Sequence, residues 1–103
     1  MKILICFPAK GKTVDEIQNL RQSTEKKARR AFKCEEEIDI LDPFTLASAP
    51  QAGQKDSIKF LADVITYLIN ADGVYFAKNW STDRYCKVTF SAVQQYGIKY
   101  YSE

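Results

Sequence analysis

The apolar positions of this chain switch between two periods, and the switches mark out a series of strands and helices. Residues 2–7 contain a continuous apolar run, Ile3-Leu4-Ile5-Cys6-Phe7, closed by Pro8 and then Gly11. A run with no polar face predicts a strand in the middle of a parallel sheet, covered on both sides. Thr13-Val14-Asp15-Glu16 reads as a capping box that opens a helix. Val14, Ile17, Leu20, Thr24, Ala28, Ala31 and Phe32 then recur within a stripe of about 120°, as on a helix laid against a sheet. Residues 37–42 alternate, Glu-Ile-Asp-Ile-Leu-Asp, and predict a second strand stopped by Pro43.

Residues 43–54, with Pro50 and Gly53, predict a loop. A second helix is expected over about 56–70. There Ile58, Phe60, Leu61, Val64, Ile65, Leu68 and Ile69 span more than half the circumference, and Lys59, Asp63, Thr66 and Asn70 form a narrow polar strip. Residues 73–77 read as a third strand, and residues 79–83 as a polar loop in which Ser81 or Thr82 caps a third helix running to Tyr96. Its inward stripe takes Tyr85, Cys86, Val88, Thr89, Ala92, Val93 and Tyr96. Gly97 suits the position just past its end, and residues 98–101 complete a fourth strand. Strands joined by helix-length connections run parallel with right-handed crossovers. The simplest arrangement is one α/β domain over residues 1–103, a flavodoxin-like three-layer sandwich with sheet order 2-1-3-4 and three helices.

Composition narrows the chemistry. The chain has 103 residues, 46% hydrophobic and 27% charged, enough for one core. It has no histidine. That excludes a Ser-His-Asp or Cys-His nucleophilic site and a Cys2His2 zinc site. A net charge of +2 calls for neither a nucleic acid nor a membrane. Residues 1–33 nevertheless carry nine basic and three acidic side chains, while 34–42 carry five acids and no base. Lys26, Arg29, Arg30 and Lys33 fall on the far side of the first helix, where they suit its dipole. They could grip phosphates or simply face solvent.

Cys6, Cys34 and Cys86 form no CxxC pair, and the run at residues 3–7 is too short for a signal segment or a span. The expectation is a cytoplasmic protein with reduced thiols and no cofactor.

For order 2-1-3-4, a ligand is expected beyond the carboxyl ends of strands 1 and 3, where strand order reverses. The loops facing that point are residues 7–12 and 78–83. The first is neither GxGxxG nor a Walker A loop, although Pro8 could fix a turn that brings the backbone close to a ring. A plain strand-to-helix turn is the alternative. Trp80, the single tryptophan, could stack on a flat ligand or lid the core. Asp83 and Arg84 could orient ligand hydroxyls, or Asp83 could serve the helix dipole alone. Thr89 lies under the proposed pocket, where its hydroxyl could meet a ligand or bond the carbonyl four residues back.

Cys6-Phe7-Pro8-Ala9-Lys10-Gly11, Leu41-Asp42-Pro43, Asn70-Ala71-Asp72, Asn79-Trp80 and Tyr96-Gly97-Ile98 together resemble the nucleoside 2-deoxyribosyltransferase-like superfamily, in particular its small bacterial and phage branch. The resemblance implies a glutamate nucleophile on the third helix that captures the sugar C1′, assisted by an aspartate six residues earlier. Counted back from Gly97, the nucleophile position falls on Thr89 and the assisting position on Asp83, with Asp63 corresponding to a further family aspartate. Phe7 replaces the first glycine of the family's Gly-Pro loop. A threonine offers no carboxylate to form and release a glycosyl intermediate.

Three readings follow. The first is a catalytically silent binder of a nucleoside- or nucleotide-like molecule, using Phe7, Pro8, Gly11, Asn79, Trp80, Asp83, Arg84 and Thr89. The second is an N-glycosidase or deoxyribosyltransferase that relies on Asp83 or Asp63. The third is a protein–protein adaptor presenting its aromatic surface. A homo-oligomer is expected, because one sheet edge stays open and tyrosines are in surplus.

Overall fold

The computed structural model describes residues 1–8, 12–33, 37–42 and 54–103. Four strands, β1 (Lys2–Cys6), β2 (Asp39–Leu41), β3 (Gly73–Phe76) and β4 (Tyr100–Ser102), form one parallel sheet in the order β2-β1-β3-β4. Three α-helices are present among the described residues: α1 (Val14–Ala31), α2 (Gln54–Tyr67) and α3 (Arg84–Gln95). The architecture is the α/β three-layer, flavodoxin-like fold that the apolar periods predict.

β1 is central because Ile3, Leu4, Ile5 and Cys6 are all fully buried. Alternation along the strand divides them between two cores. Ile3, Ile5 and Phe7 join Ala28, Phe32, Tyr75 and Ala77 on the side of α1. Leu4 and Cys6 join Phe60, Val64, Val74, Phe76, Cys86 and Val93 on the side of α2 and α3. The Phe32 ring lies directly on Gly73, where an added Cβ would stand 2.5 Å from the ring edge. That helix–sheet contact needs glycine.

The ends of the elements carry their own chemistry. Thr13 caps α1, its Oγ1 accepting from the Glu16 N–H at 3.2 Å. Glu16 does not reach back to the backbone as in the expected box, but accepts from the Thr13 hydroxyl at 3.1 Å. At the amino end of the sheet, Asp72 clamps β1: its carboxylate accepts from the Lys2 N–H at 2.7 Å, and its own N–H donates to the Lys2 carbonyl at 2.7 Å.

α3 ends in a Schellman motif. Gly97 takes φ +67°, the Ile98 N–H donates to the Val93 carbonyl, and the Gly97 N–H donates to Gln94.

Several expected boundaries shift. Ile98 is consumed in leaving the helix and Lys99 joins β3 only through its carbonyl, which accepts from the Val74 N–H at 3.0 Å, so the fourth strand begins at Tyr100 rather than at 98. The second strand shortens to Asp39–Leu41, and α2 begins at Gln54, inside the stretch expected to be a loop; residues 43–53 of that stretch lie outside the described residues. Leu68, Ile69 and Asn70 leave α2 in tight turns with N–H groups bonded three residues back, which turns Ile69 out to solvent.

On α3 the buried arc is Tyr85, Cys86, Thr89 and Val93. Val88 lies off that arc and is exposed. Tyr96, expected inside, is 83% exposed, because the chain reverses at Gly97 and Ile98 packs against the core in its stead. Val14 and Ile58 are also exposed, at the outer ends of their stripes.

Candidate functional site

The two central strands stay zipped just past β3, where the Ala77 N–H donates to the Cys6 carbonyl at 2.9 Å, and then part. Above this point α3 begins. Its N-cap is Asp83 rather than Ser81 or Thr82, since those two belong to a 3-10 turn (Trp80–Thr82) in which the Thr82 hydroxyl donates to the Asn79 carbonyl at 2.7 Å. Asn79 enters that turn in the left-handed region, with φ 66°, a conformation asparagine tolerates better than most residues.

Tyr85 ties the region together. Its backbone N–H donates to Asp83 Oδ1 at 3.1 Å. Its carbonyl accepts the Thr89 hydroxyl at 2.7 Å. Its own hydroxyl accepts from the Phe7 N–H at 3.1 Å and donates to the Phe7 carbonyl. The ring stands edge-on to Phe60 at 5.2 Å, which fixes the phenol in place. Burial chiefly, and then the neighbouring Cys86 and Cys6 thiols, hold the Tyr85 hydroxyl well above the ordinary tyrosine range, so it keeps the proton it donates to Phe7.

Phe7, Asp83 and Thr89 are therefore brought together, all buried and all bonded to Tyr85. Thr89 is fully buried and takes the back-bonded form. Asp83 puts a carboxylate oxygen on the first turn of α3, where an anionic ligand group would otherwise sit. Pro8 is buried beside Phe7, and Arg84 is exposed at the helix start.

Trp80 and Asn79 stand apart from this group. The indole stacks on Phe90, with centroids 4.2 Å apart and planes 25° apart, and also meets Phe76 at 5.5 Å. Trp80 lids an aromatic cluster that Tyr100 completes from β4. Asp63 lies half-buried on α2. Gly11 lies outside the described residues.

Burial first, and then Asp83, pushes the Cys86 thiol up. Burial, followed by Cys86 and Asp83, does the same to Cys6. Neither thiol offers a thiolate nucleophile at neutral pH.

Elsewhere, an open polar groove of about 370 Å³ runs between α1 and β2, lined by Arg21, Glu25, Arg29, Asp39 and Asp42 among others. Within it Arg21 meets Asp42 at 3.4 Å and Arg29 meets Glu25 at 3.2 Å, so much of its charge is internally compensated. No helix among the described residues is long and apolar enough to cross a membrane.

Two polar groups at the carboxyl end of the sheet escaped the sequence reading: the Tyr85 hydroxyl, whose partner Phe7 is 78 residues away, and the Glu103 carboxylate just past β4. Tyr85 at least carried a signal, as an oxygen-bearing residue on an inward stripe. No protein-family model, curated protein or solved structure matches this chain.

Proposed function

We propose that this chain is a nucleoside- or nucleotide-binding protein on the frame of the nucleoside 2-deoxyribosyltransferase-like superfamily, without that superfamily's glycosyl-transfer chemistry. The observation that carries the reading is Thr89, which corresponds in the resemblance to the nucleophilic glutamate. It is fully buried, and its hydroxyl is committed to the Tyr85 carbonyl at 2.7 Å. Double displacement needs a carboxylate that stabilises the oxocarbenium ion and then bonds to C1′, and a back-bonded threonine supplies neither function. The Asp83 carboxylate is engaged in capping α3, which weakens the alternative of a relocated catalytic acid.

The test is incubation of wild type and Thr89→Glu with a panel of deoxynucleosides, with free base followed by chromatography. A parallel thermal-shift screen covers nucleosides, nucleotides and ADP-ribose species. The expected outcome is stabilisation of the wild type by at least one of these ligands and no base release. Robust release by the wild type, abolished by Asp83→Ala, overturns the reading in favour of an enzyme.

A second reading, self-association or an adaptor role, rests on the exposure of Val88, Tyr96 and Tyr101. Light scattering of an 11.8 kDa species at tens of micromolar counts against self-association.

A further inference from the structure

On the α1 side of the sheet, a backbone N–H just past β3 and an ammonium group from α1 converge on one carboxylate. Glu103 follows β4, and its N–H donates to the Phe76 carbonyl at 3.0 Å, which carries the β3–β4 ladder one step further. Its side chain then turns onto the end of β3. Oε2 accepts from the Lys78 N–H at 2.6 Å, and Oε1 meets the Lys27 Nζ of α1 at 2.9 Å. The Tyr75 hydroxyl lies beside the same carboxylate, whose charge adds to burial in pushing that hydroxyl up. Each oxygen thus serves one donor, with the Tyr75 hydroxyl beside them.

The cradle lies past the carboxyl ends of β3 and β4, beside the reversal between β1 and β3 and not on it. Lys27 is half-exposed, so a molecule from solvent could reach it. Tyr75 is buried in the α1-side core with Ile5, Phe7 and Ala77, whereas Cys86 and Val93 of α3 belong to the core on the opposite face. The cradle is therefore independent of the reading built on Thr89.

We propose that Lys27, Tyr75 and the Lys78 N–H form an oxyanion-binding site for a phosphate group, which Glu103 keeps closed as an internal stand-in for the ligand. A phosphate offers a further oxygen, which the Tyr75 hydroxyl can meet in addition to the two donors Glu103 already serves. It also carries more charge toward Lys27 than Glu103 does. Withdrawal of Glu103 opens the site, and a phosphate-bearing ligand opens it by competition. No covalent step is involved.

The experiment is a titration of the wild type, Glu103→Ala and Glu103→Gln with inorganic phosphate at constant ionic strength, with sodium chloride and acetate as separate arms. The amide signal of Lys78 is followed by heteronuclear NMR. Glu103→Gln keeps the shape of the plug and an acceptor for Lys78, so it reports even if Glu103→Ala loosens β4. The expected result is a saturable shift of the Lys78 signal by phosphate in both variants, at concentrations at least tenfold below those the wild type needs. Adding Lys27→Met or Tyr75→Phe should weaken that response at least fivefold.

A small acetate response with a much larger phosphate response supports the phosphate assignment. Equal responses to phosphate, acetate and chloride overturn it. So does the absence of a saturable phosphate shift at Lys78 in the two Glu103 variants, or a shift that survives Lys27→Met unchanged.

Discussion

Tyr85 uses its N–H, its carbonyl and its hydroxyl on three different residues, Asp83, Thr89 and Phe7. Tyr85→Phe keeps the ring against Phe60 and removes only the hydroxyl, so that the buried N–H and carbonyl of Phe7 lose that partner. Each such hydrogen bond contributes about 0.5–1.5 kcal/mol net. The expected outcome is a loss of about 2 kcal/mol, read as a lower urea midpoint with an unchanged slope. Thr89 shows how far sequence reaches at this scale. Its inward direction follows from helical spacing, but a threonine facing a ligand and one bonded to its own helix are spelled the same way. Phe7 and Tyr85 are paired only by the closing of the sheet across 78 positions, and nothing local encodes that.

At the scale of elements, caps decide where helices begin and end. Ser81, Thr82 and Asp83 are all competent N-caps, and propensity alone does not rank them. The 3-10 turn takes Thr82, leaving Asp83 with the extended backbone a cap requires. Asp83→Ala is expected to cost about 1 kcal/mol, and Asp83→Asn, which keeps the accepting oxygen, under about 0.5 kcal/mol. Thermal denaturation of the pair checks this. Equal losses would mean that the charge, and not the cap, is what matters.

Gly97 was legible as a helix stop, because a left-handed residue is cheap only for glycine. The displacement of β4 by two residues was not, since the Schellman turn draws Ile98 into the helix's own hydrogen bonding. β1 and β3 were the easiest elements to read, because a strand buried on both faces leaves a continuous apolar run.

Across the whole molecule, the order 2-1-3-4 was legible as the simplest parallel arrangement that keeps the fully apolar first strand central, with right-handed crossovers as a general constraint. The contact between Glu103 and Tyr75 followed from neither. It should give the protein a stability that depends on pH at both extremes. Burial alone would raise the Glu103 carboxyl, but Lys27, the Lys78 N–H and Tyr75 outweigh it and hold the group below the usual carboxylate range. That contribution is present above about pH 4.3, the ordinary glutamate value, and is lost as the pH falls further.

Tyr75 shifts the other way. Burial first, and then the charge and hydrogen bond of Glu103, push its hydroxyl up to about 12. Its contribution is complete below about pH 10, the unfolded tyrosine value, and disappears as the pH climbs toward 12. Melting temperature against pH should therefore show a plateau with two shoulders, and Tyr75→Phe should erase the alkaline shoulder that this group contributes.

The central position of β1 has a consequence for synthesis. Its partner β3 begins 70 residues downstream, with Ile3 opposite Gly73. A nascent chain therefore exposes Ile3, Leu4 and Ile5 once they emerge, yet cannot cover them on both flanks until β3 has left the ribosome. With ribosomes adding roughly 5–20 residues per second, this sticky segment waits several seconds for its place in the sheet. For that interval a holding chaperone, and not the native fold, would be its protection against aggregation.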